Sequence, residues 1–176
     1  MDITKFRSAL QRDAARPNLF RVTLNLPAGL VQADRQFNSK FSFMCRAAQI
    51  PGSTLGRLPV AYMGREIGLA GNRTFTDWTV TILNDEDFQI RRTLEEWMRG
   101  MNSHQQNVRS EQFLSSTSYV ATGIVDHLGK SGEDNVIASY TIINAWPMDL
   151  SPIDLGWDQN DTAEEYTATF SMDYWE

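Results

Sequence analysis

The chain has 176 residues, of which 41% are hydrophobic and 11% aromatic, so it can bury one sizeable core but is too short for two full domains. The formal net charge of −6 argues against a surface built to hold nucleic-acid phosphates, which would concentrate Lys and Arg on one face. This length predicts one domain over residues 1–176. The single cysteine, Cys45, excludes an intramolecular disulfide framework. No secretory signal or long apolar run is visible in the sequence, so we expect a protein in a cytoplasm, without membrane contact.

The first residues predict a short helical arm. Apolar residues recur at roughly helical spacing at Ile3, Phe6, Leu10 and Ala14. Pro17 ends this pattern because proline disfavours helix in the residue before it. We therefore expect an N-terminal arm over residues 1–17.

Six segments have the alternation of apolar and polar residues, or the β-branched and aromatic content, that is typical of strands. They cover residues 20–26, 41–50, 78–82, 119–128, 136–146 and 166–174. The fourth and fifth segments are joined by a polar, glycine-containing stretch that predicts a hairpin connection. The last segment predicts an ordered strand that runs almost to the end of the chain.

Residues 51–72 are rich in glycine and proline, the residues that most often interrupt helices and strands. Glycines lie at positions 52, 56, 64, 68 and 71, and prolines at 51 and 59. Such a density favours an extended hairpin or loop arm over a core element.

The strongest helical pattern lies in residues 86–101. Its apolar stripe consists of Ile90, Leu94, Trp97, Met98 and Met101. Acidic residues 85–87 precede the stripe, where a helix N-terminus would stabilise negative charge, and Gly100 offers a left-handed cap. Together with the strands, this helix predicts a mainly β fold: an antiparallel β-sandwich or partly closed barrel with one flanking α-helix and a short N-terminal helical arm.

No catalytic or metal-binding constellation is visible in the sequence. The two histidines, His104 and His127, are far apart and lack the spacing of zinc ligands. The glycine-containing stretch 123–131 has five residues between its glycines where a phosphate-binding loop needs four, and it lies between strands. We therefore predict a protein that is not an enzyme and has no catalytic residues, cofactor or metal.

Several segments closely resemble the tail tube protein of contractile-tailed, myovirus-type phages. They are Arg16-Pro17-Asn18 before the first strand, Ile50-Pro51-Gly52, residues 71–81, Asn84-Asp85 and the ending Tyr174-Trp175. Within residues 71–81 the family-motif residues are Arg73, Phe75, Asp77 and Trp78. The resemblance covers essentially the whole chain, although residues 102–118 resemble the family less.

This resemblance implies a structural role. Six copies would close a ring, and stacked rings would form the hollow conduit for DNA ejection, in a virion tail assembled in the host bacterial cytoplasm. The implied partners are further copies of the chain, the tail sheath protein, the baseplate hub or tube initiator, the tape measure protein, the tail terminator, and genomic DNA that passes through the lumen without specific binding.

Two sets of residues are candidates for this role. We expect the 51–72 arm to contact an adjacent ring through Pro51, Gly52, Leu55, Pro59, Tyr62, Met63 and Arg65. We expect the polar faces of the strands to line the lumen through Thr23, Asn25, Thr79, Thr81, Thr167 and Thr169. Two alternatives remain open: the inner tube of a phage-derived contractile injection system, such as a bacteriocin or a type VI-like machine, and a monomeric β-rich ligand-binding module.

Overall fold

The computed structural model describes residues 2–10, 14–30, 37–132 and 135–176. Its α-helices are α1 (Ile3–Ala9), α2 (Phe37–Met44) and α3 (Gln89–Met101), and a short 3-10 helix covers Glu111–Phe113. Its strands are β1 (Phe20–Asn25), β2 (Cys45–Ala48), β3 (Ser53–Tyr62), β4 (Arg65–Phe75), β5 (Trp78–Leu83), β6 (Ala121–Leu128), β7 (Val136–Leu150), β8 (Glu165–Ser171) and β9 (Tyr174–Trp175). The predicted mainly β fold is confirmed. Residues 1 and 11–13 of the predicted N-terminal arm lie outside the described residues.

One antiparallel sheet forms most of the fold. Its strand order is β1-β6-β7-β8-β5-β2, and β9 pairs with β7 beside it. The long strand β7 pairs with β6 through its first part and with β8 through its second part. Near the end of the first part, Asn144 has a φ of 56° and lies at a register shift in the β6–β7 pairing, two residues before the pairing with β8 begins at Trp146. The sheet therefore has two halves that share β7.

The two halves of the sheet face one core. Val22 of β1 and Val125 of β6 come from one half, and Trp78 and Phe170 come from the other. Helix α2 packs against β1 at one end of the strand order and against β5 and β2 at the other end. It thus fills the gap between the two sheet edges, which makes the fold a partly closed barrel, while α3 flanks it by packing against β7 and α2.

The prediction of a strand over residues 41–50 was wrong for its first part. Phe41, Ser42, Phe43 and Met44 belong to helix α2, and the strand begins only at Cys45. The residues that are buried are Phe37, Phe41 and Cys45, which are four apart and so share one helical face, whereas Phe43 is 80% exposed. The apolar residues at 41, 43 and 45 therefore have the period of a strand only by coincidence, because residues 37–44 form a helix. Burial raises the pKa of the Cys45 thiol to about 12, so the residue stays neutral in the core.

Helix α3 begins three residues later than predicted. Phe88, with a left-handed φ of 53°, precedes its first residue, Gln89. The acidic residues before it are not in the first turn. Instead, Asp85 and Asp87 pair with Lys40 of α2 at 2.5 and 3.1 Å, and the Asp85 and Asp87 hydrogen bonds raise the pKa of this lysine. The acidic cluster therefore ties α3 to α2.

Gly100 does not cap α3, contrary to the prediction. The helix continues to Met101, and Asn102 ends it in an extended conformation. A Cβ atom on Gly100 would lie 2.4 Å from Cε2 of the buried Phe113 ring, and a Cβ atom on Gly29 would lie 2.6 Å from Cε1 of the same ring. The ring therefore packs between Gly29 and Gly100. If a side chain at one glycine displaced the ring, the ring would move towards the backbone of the other glycine.

We predict that Gly100→Ala destabilises the protein, although alanine normally favours a helix by about 1 kcal/mol relative to glycine. Overpacking against the fixed Phe113 ring should outweigh this preference and leave a net loss of ~1–2 kcal/mol, measured by urea unfolding. The matched variant Gly100→Ala with Phe113→Leu should recover part of the loss. An increase in stability for Gly100→Ala alone would contradict the proposal that Gly29 and Gly100 hold the Phe113 ring between them.

The C-terminal strand ends earlier than predicted. Strand β8 stops at Ser171, and the last paired residues, Tyr174 and Trp175, cross over to pair with Ile143 and Ile142 of β7. Asn144 donates a side-chain hydrogen bond to Asp173 over 2.6 Å, which holds the crossing point. The end of the chain is thus attached to the other half of the sheet.

Candidate functional site

The feature that stands out is a two-stranded hairpin formed by β3 and β4, here called the arm. Among the described residues, its strands pair only with each other. Tyr62 and Arg65 face each other across a two-residue turn in which Met63 and Gly64 have φ values of 46° and 79°, as a tight hairpin turn of the primed type requires. Every residue of 54–70 is exposed. The arm therefore contributes nothing to the core.

One face of the arm is apolar. Register and alternation place five exposed apolar side chains on this face, between 40% and 61% exposed: Leu58, Val60, Tyr62, Ile67 and Leu69. The opposite face carries small residues and an ion pair of 3.1 Å between Arg57 and Glu66. An isolated two-stranded hairpin is at best marginally stable in water, and contiguous exposed apolar patches mark interaction sites. The apolar face is thus suited to being covered by a partner.

An aromatic cluster fixes the base of the arm. The Trp175 ring packs edge-on against Phe75 and Tyr140, with centroid distances of 6.2 and 5.6 Å, and its Nε1 donates to the Gly52 carbonyl over 3.5 Å. Thr76 N donates to the same carbonyl at 3.3 Å. The family-motif residues Phe75 and Trp175, far apart in sequence, therefore meet here and attach the arm to the barrel.

The predicted contact residues are divided between the base and the arm. Pro51 is buried and, with Gly52, lies at the base. The exposed part of the arm carries Leu55, Pro59, Tyr62, Met63 and Arg65. Sequence reasoning missed four residues of the apolar face: Leu58, Val60, Ile67 and Leu69. Their period-2 alternation on either side of Met63-Gly64 was present in the sequence, but the density of glycine and proline hid it.

A second exposed surface is the connection 151–164 between β7 and β8, here called the acidic loop. It holds four acidic residues (Asp154, Asp158, Asp161 and Glu164) and no Lys or Arg. At its tip Leu155 and Trp157 are 87% and 104% exposed. The loop borders an open groove of about 670 Å³ whose lining includes Ile153 and Arg46. Sequence reasoning did not single out this loop or its exposed tryptophan.

The arm and the acidic loop lie at opposite ends of strands β5 and β8. Trp78 pairs with Phe170 at the arm end, and Leu83 pairs with Glu165 at the loop end. The loop end is held by Asn84, which donates from its side chain to Glu164 over 2.6 Å and from its backbone to the Glu164 carbonyl over 2.8 Å. The family-motif residue Asn84 therefore supports this end, whereas Asp85 pairs with Lys40 of α2.

The remaining family-motif residues have varied environments. Arg73, at the arm base, donates to the Ser53 hydroxyl over 3.0 Å. Tyr174 is 43% exposed in β9, and Trp78 is fully buried in the core. Asp77 is exposed beside it, and Arg16, Pro17 and Asn18 form the exposed approach to β1.

The predicted lumen residues form two groups. Thr79 pairs with Thr169, and Thr81 pairs with Thr167, so these four hydroxyl groups share one patch on the β5–β8 face that points away from the core. Asp149 pairs with Thr169 on its other side. Thr23 and Asn25 lie on β1, separated from β8 by β6 and β7. The structure does not bring the two groups together.

Other kinds of site find no support in the described ranges. Residues 2–10, 14–30, 37–132 and 135–176 contain no group of three His, Cys, Asp or Glu side chains arranged to hold a metal ion. In the same part of the chain, no helix has the length and apolar character needed to cross a membrane.

Sequence comparisons agree with the resemblance. A family model described as "Phage tail tube protein" matches residues 15–176. The chain is 31% identical to the tail tube protein gp19 of Enterobacteria phage T4 over 169 residues, covering 93% of this chain and 92% of gp19. It is 25% identical to the tail tube protein of Serratia phage KSP90 over 167 residues, covering 94% of this chain and 90% of that protein.

Structural comparisons identify the same type of fold at low sequence identity. A chain in the baseplate of the anti-feeding prophage superposes with a TM-score of 0.65 at 11% identity, covering 94% of this chain and 96% of the other. A chain in the sheath/tube terminator of an extracellular contractile injection system, PVC, superposes with a TM-score of 0.64 at 12% identity, covering 94% and 97%.

Proposed function

The chain belongs to the phage tail tube protein family, and from this premise we propose that its subunits close into hexameric rings that stack into a hollow tube for DNA. The observation that carries the proposal is the arm, whose exposed apolar face is not covered by the residues that the structure describes in the same subunit. A neighbouring copy would bury this face.

The test is negative-stain electron microscopy of the purified protein, combined with analytical ultracentrifugation of the same sample. We expect rings and hollow tubes, with or without seeding by baseplate complexes. A protein that stays monomeric even on matching baseplate complexes would instead favour the monomeric ligand-binding module.

The proposed partners are those of a phage tail. They are the tail sheath protein outside the tube, the baseplate hub or initiator, the tape measure protein, the tail terminator and the DNA that passes through. Assembly in the host cytoplasm and the lack of enzymatic activity belong to the same proposal. The tube of a contractile injection system remains the second candidate because of the shared fold, but the relatives at 25–31% identity are phage tail tube proteins, whereas the injection-system chains share only 11–14%.

We further propose that the lumen is lined by the patch of Thr79, Thr81, Thr167 and Thr169. These hydroxyl groups and the neighbouring Asp149 carry no positive charge, and the nearby Arg46 is paired with Glu165 of β8. Six chains of charge −6 give a ring of formal charge −36, which adds to the repulsion of phosphates. DNA would then slide past this wall without being held.

Adding cations to this patch should make the tube retain DNA. We predict that tubes of Thr79→Lys with Thr169→Lys hold nuclease-protected DNA at low salt and release it as salt rises, because each lysine–phosphate contact releases counterions. The matched control is Thr23→Lys on β1, which should hold no protected DNA. Protected DNA in the control alone would assign the lumen to the β1–β6 half of the sheet.

A further inference from the structure

The acidic loop has an exposed apolar tip that no described residue of the subunit covers. Trp157 has a relative exposure of 104%, and Leu155 follows at 87%. Asp154 and Asp158 flank them in the sequence, so two large apolar side chains lie between two acidic residues. Tryptophan is enriched among residues that dominate binding energy at interfaces.

The arm is complementary to this loop in both charge and polarity. Over residues 53–75 the arm carries three arginines and one glutamate, a net charge of +2, whereas residues 151–164 carry four acidic residues and no basic ones, a net charge of −4. Both surfaces combine charge with exposed apolar side chains. Complementary charges of this kind favour association and disfavour wrong partners.

The two surfaces leave the barrel at opposite ends of β5, so we expect them to meet between different subunits. The arm leaves the barrel beside Trp78, and the acidic loop enters it beside Leu83, at the other end of β5. Six residues of strand separate these points, a length of about 20 Å. Two different surfaces at opposite ends of a subunit form a head-to-tail contact, which repeats without limit along a stack.

We propose that the arm of one subunit docks on the acidic loop of a copy in the next ring. The apolar face of the arm covers Leu155 and Trp157, and Arg65 at the arm tip faces the carboxylates of the loop. The inference rests on the proposed function, because it names the partner of the arm within a stacked tube.

The first test is Trp157→Ala, compared with Leu114→Ala at another exposed apolar residue, which is 67% exposed. Since the Trp157 side chain is fully exposed within the part of the subunit that the structure describes, both variants should keep the wild-type melting temperature. We expect Trp157→Ala to shorten the tubes by tenfold or more on electron micrographs, leaving mainly single rings, whereas Leu114→Ala should give tubes of wild-type length. Tubes of normal length from Trp157→Ala would overturn the inference.

A mixing experiment tests the head-to-tail geometry directly. Trp157→Ala subunits retain a working arm, and subunits with residues 54–74 replaced by an Asn-Gly turn retain a working loop. Each kind alone should give single rings. When preformed rings of the two kinds are mixed, the arms of one should bind the loops of the other, producing stacks of two rings and no longer tubes. Mixed rings that remain single would overturn the inference.

Wild-type protein in the same experiments separates this inference from the proposed function. If wild-type protein forms no tubes on baseplate complexes, the proposed function fails. If it forms tubes and Trp157→Ala does so equally well, only the arm–loop contact fails. Normal Trp157→Ala tubes that no longer bind the tail sheath protein would assign the acidic loop to the sheath instead.

Discussion

Replacing residues 54–74 with an Asn-Gly turn should abolish tube formation while leaving a folded subunit. Ser53 and Phe75 face each other in register, so a two-residue turn can join them without disturbing the bond of 3.3 Å between Thr76 N and the Gly52 carbonyl. The removed residues contribute no side chain to the buried core. The melting temperature should therefore change by no more than a few degrees, as followed by circular dichroism.

Loss of the arm removes every contact that its apolar face can make with a neighbour. A ring has one such arm per subunit, so even a modest contribution from each arm is multiplied around the ring. We expect single rings by electron microscopy and ultracentrifugation. The matched control is Ala61→Ser on the opposite face, which should leave assembly intact. Long tubes formed without the arm would contradict its assignment as the stacking element.

Most strands and the class of fold could be predicted because their signals are local. Val22 and Leu24 in β1, and Trp78, Val80 and Ile82 in β5, alternate with polar residues and are all buried. Helix α2 could not be found in this way. The chain 41–45 satisfies a strand pattern as well as a helical one, and the choice depends on Phe37 packing against Phe41, with ring centroids 5.6 Å apart, in the gap between two sheet edges.

The candidate site was predictable only in part, because it depends on contacts between distant segments. Glycine and proline content located the arm, but the sequence could not show that Trp175 attaches its base, 123 residues after Gly52. Trp157 was overlooked for a related reason: an aromatic residue is expected in the core unless the structure shows otherwise. Gly100 is a third case, since its role is set by the Phe113 ring and not by helix capping.

Substitutions in the core are expected to have the opposite effect from removal of the arm: they should lower folding stability and leave tube formation intact. Trp97 of α3 is fully buried, lies 6.4 Å from the Phe170 ring, and donates from Nε1 to the Tyr119 carbonyl over 2.7 Å. Trp97→Ala should cost about 3–5 kcal/mol through the cavity it leaves. Trp97→Phe keeps most of the apolar volume but removes the donor to the carbonyl, and should cost about 1–3 kcal/mol.

These losses can be measured by urea unfolding, with Glu96→Ala on the exposed side of α3 as the control, expected within about 0.5 kcal/mol of wild type. At this chain length a loss of 1 kcal/mol lowers the melting temperature by about 2–4 °C. Below its melting temperature Trp97→Phe still presents an intact arm and acidic loop, so it should form normal tubes. Folding stability and tube assembly would then depend on different residues. The arm variant would fold without stacking, and the Trp97→Phe variant would stack although its folding stability is lower. If Trp97→Phe failed to assemble while fully folded, α3 would itself be part of a subunit contact.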